Sequence, residues 1–244
     1  MRQQPLQNTV ERLRKQLLEM EGRTKPLHDT STKLGLPFLE RHFPNHSFPT
    51  GTIHEFVSTK PEHTACTSAF ILALLAKLEG STGMYVWIGK QRQIFAPSLP
   101  VFGILPQQLI FINLSKPRDI LWATEEALKC KSLNGVISEV EGITFAQSQR
   151  LQLTVEKSGV TGFMLRTNAE HITATACAAR WLITPIMSEN EDELPGIGFA
   201  RWQIALLKVR NGNTASFNMG WRNGQFYTAK KRAMPLSLSQ AGGS

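Results

Sequence analysis

Short apolar runs and amphipathic stretches alternate along most of this chain, as strands and helices do in an α/β protein. Five mostly apolar runs predict strands that are covered on both faces: Thr52–Val57, Gly83–Ile88, Gln108–Leu114, Gly135–Val140 and Gly162–Arg166. Three helices are predicted between them: Ser68–Leu78, Lys116–Leu133 and Thr144–Lys157. The alternation predicts βαβ units, and therefore a mainly parallel central sheet with helices on both faces.

The chain changes character after the fifth of these strands. Three further strand-like runs follow without helices between them: Arg180–Ile186, Arg201–Arg210 and Thr214–Trp221. The dipeptides Asn211-Gly212 and Asn223-Gly224 are typical of type I′ hairpins, so an antiparallel extension is predicted to complete the sheet. From Thr228 onward the chain is rich in Lys, Arg, Ser and Gly, which predicts a basic flexible tail.

A separate amphipathic helix is predicted near the N-terminus. Asn8 and Glu11 have the spacing of a capping box, and Gly22 can end the helix. Its apolar face, which we take as a candidate partner-binding surface, consists of Val10, Leu13, Leu17 and Met20. Packing of this face on the chain's own core is the alternative. The predicted organisation is an N-terminal helix and linker over 1–50, an α/β core over 51–227 and the tail over 228–244.

Positive charge is concentrated at the C-terminal end of the chain. The formal net charge is +8, and after Glu193 there is no acidic residue. The basic residues in that stretch, which we take as candidate nucleic-acid-binding residues, are Arg201, Lys208, Arg210, Arg222, Lys230, Lys231 and Arg232. A one-sided basic region is typical of proteins that bind DNA or RNA. A solvated basic surface is the alternative.

The composition favours an ordinary globular protein of the cytoplasm. Of 244 residues, 41% are hydrophobic and 19% are charged. The cysteines Cys66, Cys130 and Cys177 are far apart and odd in number, which argues against both a disulfide framework and a zinc site. No apolar run reaches the ~18 residues that would span a bilayer, and no signal peptide is visible, so no membrane partner is expected.

The segment after the first predicted strand occupies the place of a phosphate-binding loop. Such a loop needs glycines, so that backbone N–H groups converge on phosphate, and a Lys just before the helix. Residues 58–66 contain no glycine, their only lysine is the early Lys60, and Glu62 adds negative charge. Ser58, Thr59 and Thr64 complete this degenerate site. We therefore expect a protein that acts by binding and not by turnover.

Several separate strings, in order along the chain, resemble the short ImuA proteins of bacteria. They are Phe48–Phe56, Val86–Ile88, Leu121–Cys130, Val160–Phe163, Ala178–Trp181 and Leu207–Gly212. Because that family is related to RecA and SulA, the resemblance implies a RecA-like core with an eroded ATP site. It also implies a role in damage-induced, error-prone translesion DNA synthesis, the SOS mutagenesis of bacteria. The similarity extends from the N-terminal helix to about Tyr227.

The resemblance also implies partners. The first is an ImuB-like Y-family polymerase subunit, and an error-prone replicative-type polymerase, RecA, DNA and a second copy of the chain are further candidates. We expect a cytoplasmic protein that is associated with the nucleoid when active. The leading hypothesis is a non-catalytic RecA-like adaptor. The alternatives are a weak DNA-dependent ATPase with a remodelled site and a cell-division inhibitor of the SulA type.

Two more positions depart from the RecA pattern. RecA proteins place a catalytic Glu after the second strand, where this chain has Gln91, and an Asp for Mg²⁺ after the fourth, where it has Ser138-Glu139. Glu139 could hold a metal, but a carboxylate that is solvated or ion-paired at the sheet edge is the favoured interpretation. Together with the altered loop, these departures argue against hydrolysis by the usual route, and we expect no cofactor or metal.

Lys208-Val209-Arg210 resembles the Lys-x-Lys of the late RecA hairpin, which reaches the neighbouring subunit's nucleotide. A spacing of two places both cations on one strand face, where they either contact a partner or guard a solvated edge.

The remaining chemistry-bearing side chains favour structural roles. His54 is predicted to be a satisfied core or rim histidine. Cys66 is predicted to be a small buried apolar residue, and an activated thiol is the less favoured interpretation. All five tryptophans are predicted to belong to the core: Trp87, Trp122, Trp181, Trp202 and Trp221. A stacking surface for bases at Trp202 or Trp221 is the alternative.

Overall fold

The computed structural model describes residues 31–78, 83–90, 94–167, 172–188 and 198–228. Three sets of residues named above lie outside the described residues. They are the predicted N-terminal helix with Val10, Leu13, Leu17 and Met20, the position Gln91, and the basic tail residues Lys230, Lys231 and Arg232.

The described residues form eleven strands and four α-helices. The strands are β1 Ser31–Thr32, β2 Phe48–Pro49, β3 Ile53–Val57, β4 Tyr85–Gly89, β5 Leu109–Asn113, β6 Gly135–Val140, β7 Thr161–Arg166, β8 Ala179–Pro185, β9 Arg201–Val209, β10 Ala215–Arg222 and β11 Gln225–Thr228. The helices are α1 Pro37–Glu40, α2 Pro61–Leu75, α3 Pro117–Lys129 and α4 Phe145–Ser158. Short 3₁₀ turns cover Pro44–His46, Ala96–Phe102 and Pro106–Gln108.

Nine of these strands form one sheet, in the order β11-β10-β9-β8-β3-β7-β6-β4-β5. The six strands from β8 to β5 in this order are parallel to their neighbours, and β9, β10 and β11 continue the sheet with antiparallel pairing. The predicted fold class is therefore confirmed: an α/β protein whose mainly parallel sheet is extended by C-terminal antiparallel strands. Strand β3 lies at the centre of the sheet, between β7 and β8.

The helices lie on both faces of the sheet because alternate side chains of each strand point to opposite faces. On one face Phe56 and Trp181 pack with α2, and on the other Ile53 and Ile88 pack with α3 and α4. Strands β8, β9 and β11 also pack against α2. Phe70 of α2 lies within 6 Å of the rings of Trp181, Trp202 and Phe226, which belong to β8, β9 and β11. Residues 70–75 of α2 are consequently all buried.

Local signals account for where the later helices begin and end. Pro117 occupies the first turn of α3, where a missing N–H group costs nothing. The side chain of Thr144 accepts a hydrogen bond from the backbone N–H of Gln147, which forms the capping box of α4. Gly159 ends α4 with a φ of +80°, a backbone conformation that favours glycine.

Residues 31–49 are part of the core, which corrects the linker prediction for this stretch. Strands β1 and β2 pair with each other, and α1 lies between them. The apolar side chains that this stretch buries in the main core are Leu34, Leu36, Leu39, Phe43 and Phe48. No single helical or strand period runs through all five positions, so the sequence pattern did not indicate that they would be buried together.

One of the two predicted hairpins has the expected turn. Asn223 and Gly224 have φ values of +49° and +72°, and Arg222 pairs with Gln225 across them. The Asn211-Gly212 turn is different, since five residues, 210–214, join β9 to β10. This connection packs on the N-terminal stretch, because the N–H of Asn213 donates to the carbonyl of His42 at 2.9 Å.

Four of the predicted core tryptophans are buried, and one is not. Trp87, Trp181, Trp202 and Trp221 are at most 4% exposed. Trp122 is 64% exposed because it lies on the side of α3 opposite to its buried residues Ile120, Thr124 and Leu128. The prediction for Trp122 is therefore wrong. None of the helices in the described parts of the chain combines the length and apolarity that crossing a bilayer requires.

Candidate functional site at the carboxyl ends of the parallel strands

A cavity of about 650 Å³ lies at the edge of the sheet where the parallel strands end. Pro61 and Thr64 of α2, Ile120 of α3 and Glu139 of β6 are among the residues that line it. This edge is where open α/β sheets bind their ligands, because the loops that leave the strands diverge there. The cavity therefore occupies the place where the sequence predicts a degenerate nucleotide site.

The loop in front of α2 is short, and its first N–H group already has a partner. Only Ser58, Thr59 and Lys60 join β3 to α2. Ser58 is fully buried, and its N–H donates to the carbonyl of Arg166 at 2.9 Å. The hydroxyl of Thr59 lies 3.1 Å from Nδ1 of His63. A phosphate loop needs N–H groups that converge on open space, whereas here the Ser58 N–H already has a strand partner.

The first turn of α2 carries no glycine and no inward-pointing lysine. Lys60 is exposed in an extended conformation at the N-cap, and its carbonyl accepts the N–H of Thr64 at 3.1 Å. Glu62 is exposed in the first turn. Thr64 is 7% exposed and lines the cavity. Of these predicted positions, Thr64 is the one that lines the cavity, whereas Lys60 and Glu62 face solvent.

Glu139 lines the same cavity and has an indole as its partner. The Nε1–H of Trp87 donates to Oε1 of Glu139 at 2.6 Å, and the residue is 7% exposed. Gly89 makes room for the carboxyl group, since a Cβ atom there would lie 2.5 Å from Oε2. Burial raises the pKa of Glu139, and the bond from Trp87 opposes this shift. The predicted solvated or ion-paired carboxylate is thus a buried group that is hydrogen-bonded to Trp87.

The rim of the cavity is charged. Lys90 and Glu141 form an ion pair there, and Arg118 in the first turn of α3 lines the cavity as well. Within the described residues, no three His, Cys, Asp or Glu side chains gather as a metal site would require. Cys66, at the side of α2, is not an activated thiol, because burial raises its pKa to about 12.

The fold separates the four described C-terminal basic residues into two pairs at opposite ends of the sheet. Strand β9 is antiparallel to β8, so Arg201 lies near the end of β8 and Lys208 near its beginning. Lys208 Nζ donates to the carbonyl of Thr175 at 2.8 Å, and Arg210 donates to that of Ala176. Both side chains therefore bind a loop of their own chain. A contact with a neighbouring subunit or DNA remains a prediction for them.

The other pair lies beside the carboxyl ends of the strands. Arg201 is only 9% exposed, and the guanidinium carbon of Arg222 lies 4.8 Å from the centre of the Phe199 ring. The four described basic residues do not form one continuous surface. Trp202 and Trp221 are buried beside them, so neither offers a stacking face in this conformation.

The sequence analysis missed a buried ionic cluster around Glu55. This residue of β3 is fully buried and binds Arg166 at 2.9 Å and Arg180 at 2.7 Å. The hydroxyl of Thr175 donates to the same carboxylate at 2.7 Å. A glutamate inside an otherwise apolar strand was the available signal, because a buried carboxylate requires cationic or hydrogen-bonding partners.

Comparison with curated proteins finds similarity to an ImuA protein. Protein ImuA of Caulobacter vibrioides, in strain NA1000 / CB15N, is 27% identical over 199 residues, which are 77% of this chain and 80% of that protein. This chain resembles ImuA. The ImuA of a second Caulobacter vibrioides strain gives the same values. No protein-family model matches the sequence.

Among solved structures, SulA from Pseudomonas aeruginosa aligns with a TM-score of 0.41 and 14% identity. The alignment covers 47% of this chain and 97% of the SulA chain.

Proposed function

We propose that this chain is a non-catalytic adaptor in damage-induced, error-prone DNA synthesis. The resemblance to ImuA, over 77% of the chain, supports the process. The side chains at the carboxyl ends of the parallel strands support a protein that binds partners and does not hydrolyse nucleotide. The observation that carries the proposal is the connection of β3 to α2, in which Ser58 bonds to Arg166 and Lys60 faces solvent. Phosphoryl transfer depends on positioned donors and cations around the phosphates, so a bonded Ser58 N–H and a solvent-facing Lys60 support a role in binding.

The proposed partner is an ImuB-like polymerase subunit. An adaptor without its own chemistry acts by presenting surfaces, and the sequence supplies one in the apolar face of the predicted N-terminal helix. Leu13 and Leu17 are adjacent on that face. A helix with such an apolar stripe suits a hydrophobic groove on a partner.

Co-purification with the ImuB-like subunit tests this proposal. The double variant Leu13→Asp/Leu17→Asp should lose the partner, because two carboxylates replace the apolar centre of the face. Its circular dichroism should match that of the native chain. Lys15→Asp is the control, since it changes the net charge by the same amount on the opposite side of the helix and should retain the partner. Retention of the partner by the Leu13/Leu17 variant would exclude this surface.

A second candidate function, nucleotide binding with weak hydrolysis, is favoured by the cavity of about 650 Å³. Its rim carries Arg118 and Lys90, which could contact phosphates. Equilibrium binding of a fluorescent ATP analogue with Mg²⁺ decides between the two functions. Micromolar affinity that is lost in Glu139→Gln or Arg118→Gln would support a remodelled nucleotide site. Affinity weaker than millimolar, with co-purification intact, would support the adaptor alone.

A further inference from the structure

A groove between α3 and α4 collects cations that are far apart in the sequence. Lys129 and Lys131 line it from the end of α3, and Arg150 and Lys157 line it from α4. Glu125 and Leu153 are also part of its lining. The groove has a volume of about 560 Å³ and is open to solvent.

The one carboxylate among these residues does not cancel the positive charge. Glu125 is bound by Arg150 at 2.7 Å and by Lys129 at 3.5 Å. The side chains of these two cations remain 70% and 49% exposed. Lys131 and Lys157 are exposed, and within the described part of the chain neither takes part in an ion pair. Lys129 is also bound by Glu126 at 2.7 Å, so the groove and its edge present four cations against two carboxylates that are already paired.

Helix stabilisation explains only part of this arrangement. Cations near the C-terminus of a helix interact favourably with its dipole, which accounts for Lys129 and Lys157 in the last turns of α3 and α4. Arg150 lies in the first half of α4, and Lys131 lies beyond the end of α3. Lys131, two residues past the end of α3, also gains from that dipole, whereas Arg150 does not and pairs instead with Glu125. Neither of these local interactions requires Lys131 and Lys157 to meet in one groove.

The spacing of the cations suits an extended chain of negative charges. Arg150 and Lys157 are seven residues apart on α4, which places them on one face and about 10 Å apart along the helix axis. Leu153 lies between them, and it is the one large apolar side chain among the residues that line the groove. Protein–protein interfaces have an apolar centre, whereas interfaces with nucleic acid are more polar and positively charged.

We infer that this groove binds the phosphate backbone of a nucleic-acid strand. The helices run back along the parallel strands, so their C-terminal ends lie at the sheet edge opposite to the cavity that contains Glu139. Lys129, Lys131 and Lys157 therefore lie toward the edge away from that cavity, whereas the groove extends back to Ala146 in the first turn of α4. The inference deepens the proposed function, since an adaptor in DNA synthesis acts beside DNA, and it rests on that function for its biological setting.

Binding of the purified chain to fluorescent oligonucleotides tests the inference without any polymerase subunit. The probes are a single-stranded thymidine oligonucleotide and a duplex of equal length, measured by anisotropy over a range of salt concentrations. The groove variant is Lys131→Gln/Lys157→Gln. It should bind single-stranded DNA about 10-fold more weakly near physiological salt, and the salt slope should fall by about 1.4, which is about 0.7 for each lost contact.

A charge-matched control distinguishes the groove from a general effect of net charge. Lys33→Gln/Lys116→Gln removes two exposed cations that lie outside the groove. This variant should bind DNA within about 2-fold of the native chain, since non-contacting charges are largely screened at physiological salt. Urea unfolding should show that both variants remain folded under the conditions of the binding measurements, since the groove variant loses only the dipole interaction of Lys157 and the control an exposed bond from Lys33 to the carbonyl of His46.

Several results would overturn the inference. They are native affinity in the groove variant, an equal loss in the control, or absence of DNA binding by the native chain. Equal competition by poly-glutamate of the same charge would also overturn it, because the groove would then select no nucleic acid. Any of these results leaves the co-purification test of the adaptor unaffected, so failure of this inference is distinguishable from failure of the proposed function.

Discussion

Glu55 on β3 accepts a hydrogen bond of 2.7 Å from Nε of Arg180, the residue directly opposite it on β8. Its other carboxylate oxygen accepts from Arg166 on β7, on the other side of β3. One buried carboxylate thus joins both neighbours of the central strand. Arg180 also donates to the carbonyl of Thr173 at 2.6 Å, so the cluster fastens the chain that leads into β8.

The first prediction concerns this cluster. Glu55→Gln should lower the free energy of unfolding by about 3–5 kcal/mol, because it leaves Arg166 and Arg180 buried without a countercharge. Urea unfolding measures the loss. Glu125→Gln is the matched control, because Glu125 bridges the more exposed Arg150 and Lys129, and the expected loss there is below about 1 kcal/mol. Equal losses of unfolding free energy in the two variants would contradict the prediction, because the buried ion pairs of Glu55 would then stabilise the fold no more than the exposed pairs of Glu125.

The second prediction concerns the pH dependence of stability. His54 is fully buried, donates its Nε2–H to the carbonyl of Pro49 at 2.8 Å, and stacks on Phe48 with ring centres 4.4 Å apart. Burial lowers the pKa of His54 from 6.5 to about 4. Between these values the unfolded chain binds a proton that the folded chain does not. The contribution of His54 is therefore complete above pH 6.5 and is lost as the pH falls toward 4.

Urea unfolding between pH 4 and pH 7.5 checks this expectation. The native chain should lose about 3 kcal/mol through His54 over that range, from a pKa difference of about 2.5. His54→Phe keeps a ring in the stack and removes the titration, so its stability should depend less on pH. His63→Gln, at a partly exposed position, should retain the native pH dependence. Parallel curves for the native chain and His54→Phe would contradict the prediction.

The third prediction concerns the loop that Lys208 and Arg210 hold. Lys208→Gln should speed backbone hydrogen exchange in residues 173–178, because the bond to the Thr175 carbonyl is weakened. Exchange measured by mass spectrometry should rise there and remain unchanged in α4. Lys131→Gln, which makes no such contact, is the control. Unchanged exchange in the Lys208 variant, together with reduced DNA affinity, would favour the sequence-based prediction that Lys208 contacts DNA.

The fourth prediction concerns the connection between β9 and β10. A Cβ atom at Gly212 would lie 2.3 Å from the carbonyl oxygen of His42, which is backbone and cannot turn away. Gly212→Ala should therefore cost about 1–3 kcal/mol by forcing the two segments apart. Gly142→Ala is the control, since no atom lies within 4 Å of its added methyl group, and its stability should change by less than about 1 kcal/mol. Thermal unfolding of both variants checks the difference.

The sequence predicted where the candidate site lies, but it did not predict which side chains contact each other there. The strand that ends at Val57 and the helix that follows it located the sheet edge, and Thr64 and Glu139 do line its cavity. The sequence pattern could not show that Trp87 would bind Glu139, because that contact joins residues 52 positions apart. Nor could it show that residues 31–49 pack into the core, since no single period runs through their buried apolar side chains.

By itself, the sequence determined the order of strands and helices, since alternating burial and capping residues act over a few positions. It also determined the resemblance to ImuA. Only the tertiary structure decided which charges meet. Strand order placed Arg180 beside Glu55, 125 residues away, and turned Lys208 toward its own loop. Helix packing brought Lys131 and Lys157 into one groove. These contacts depend on register and packing between distant segments, which no local pattern encodes.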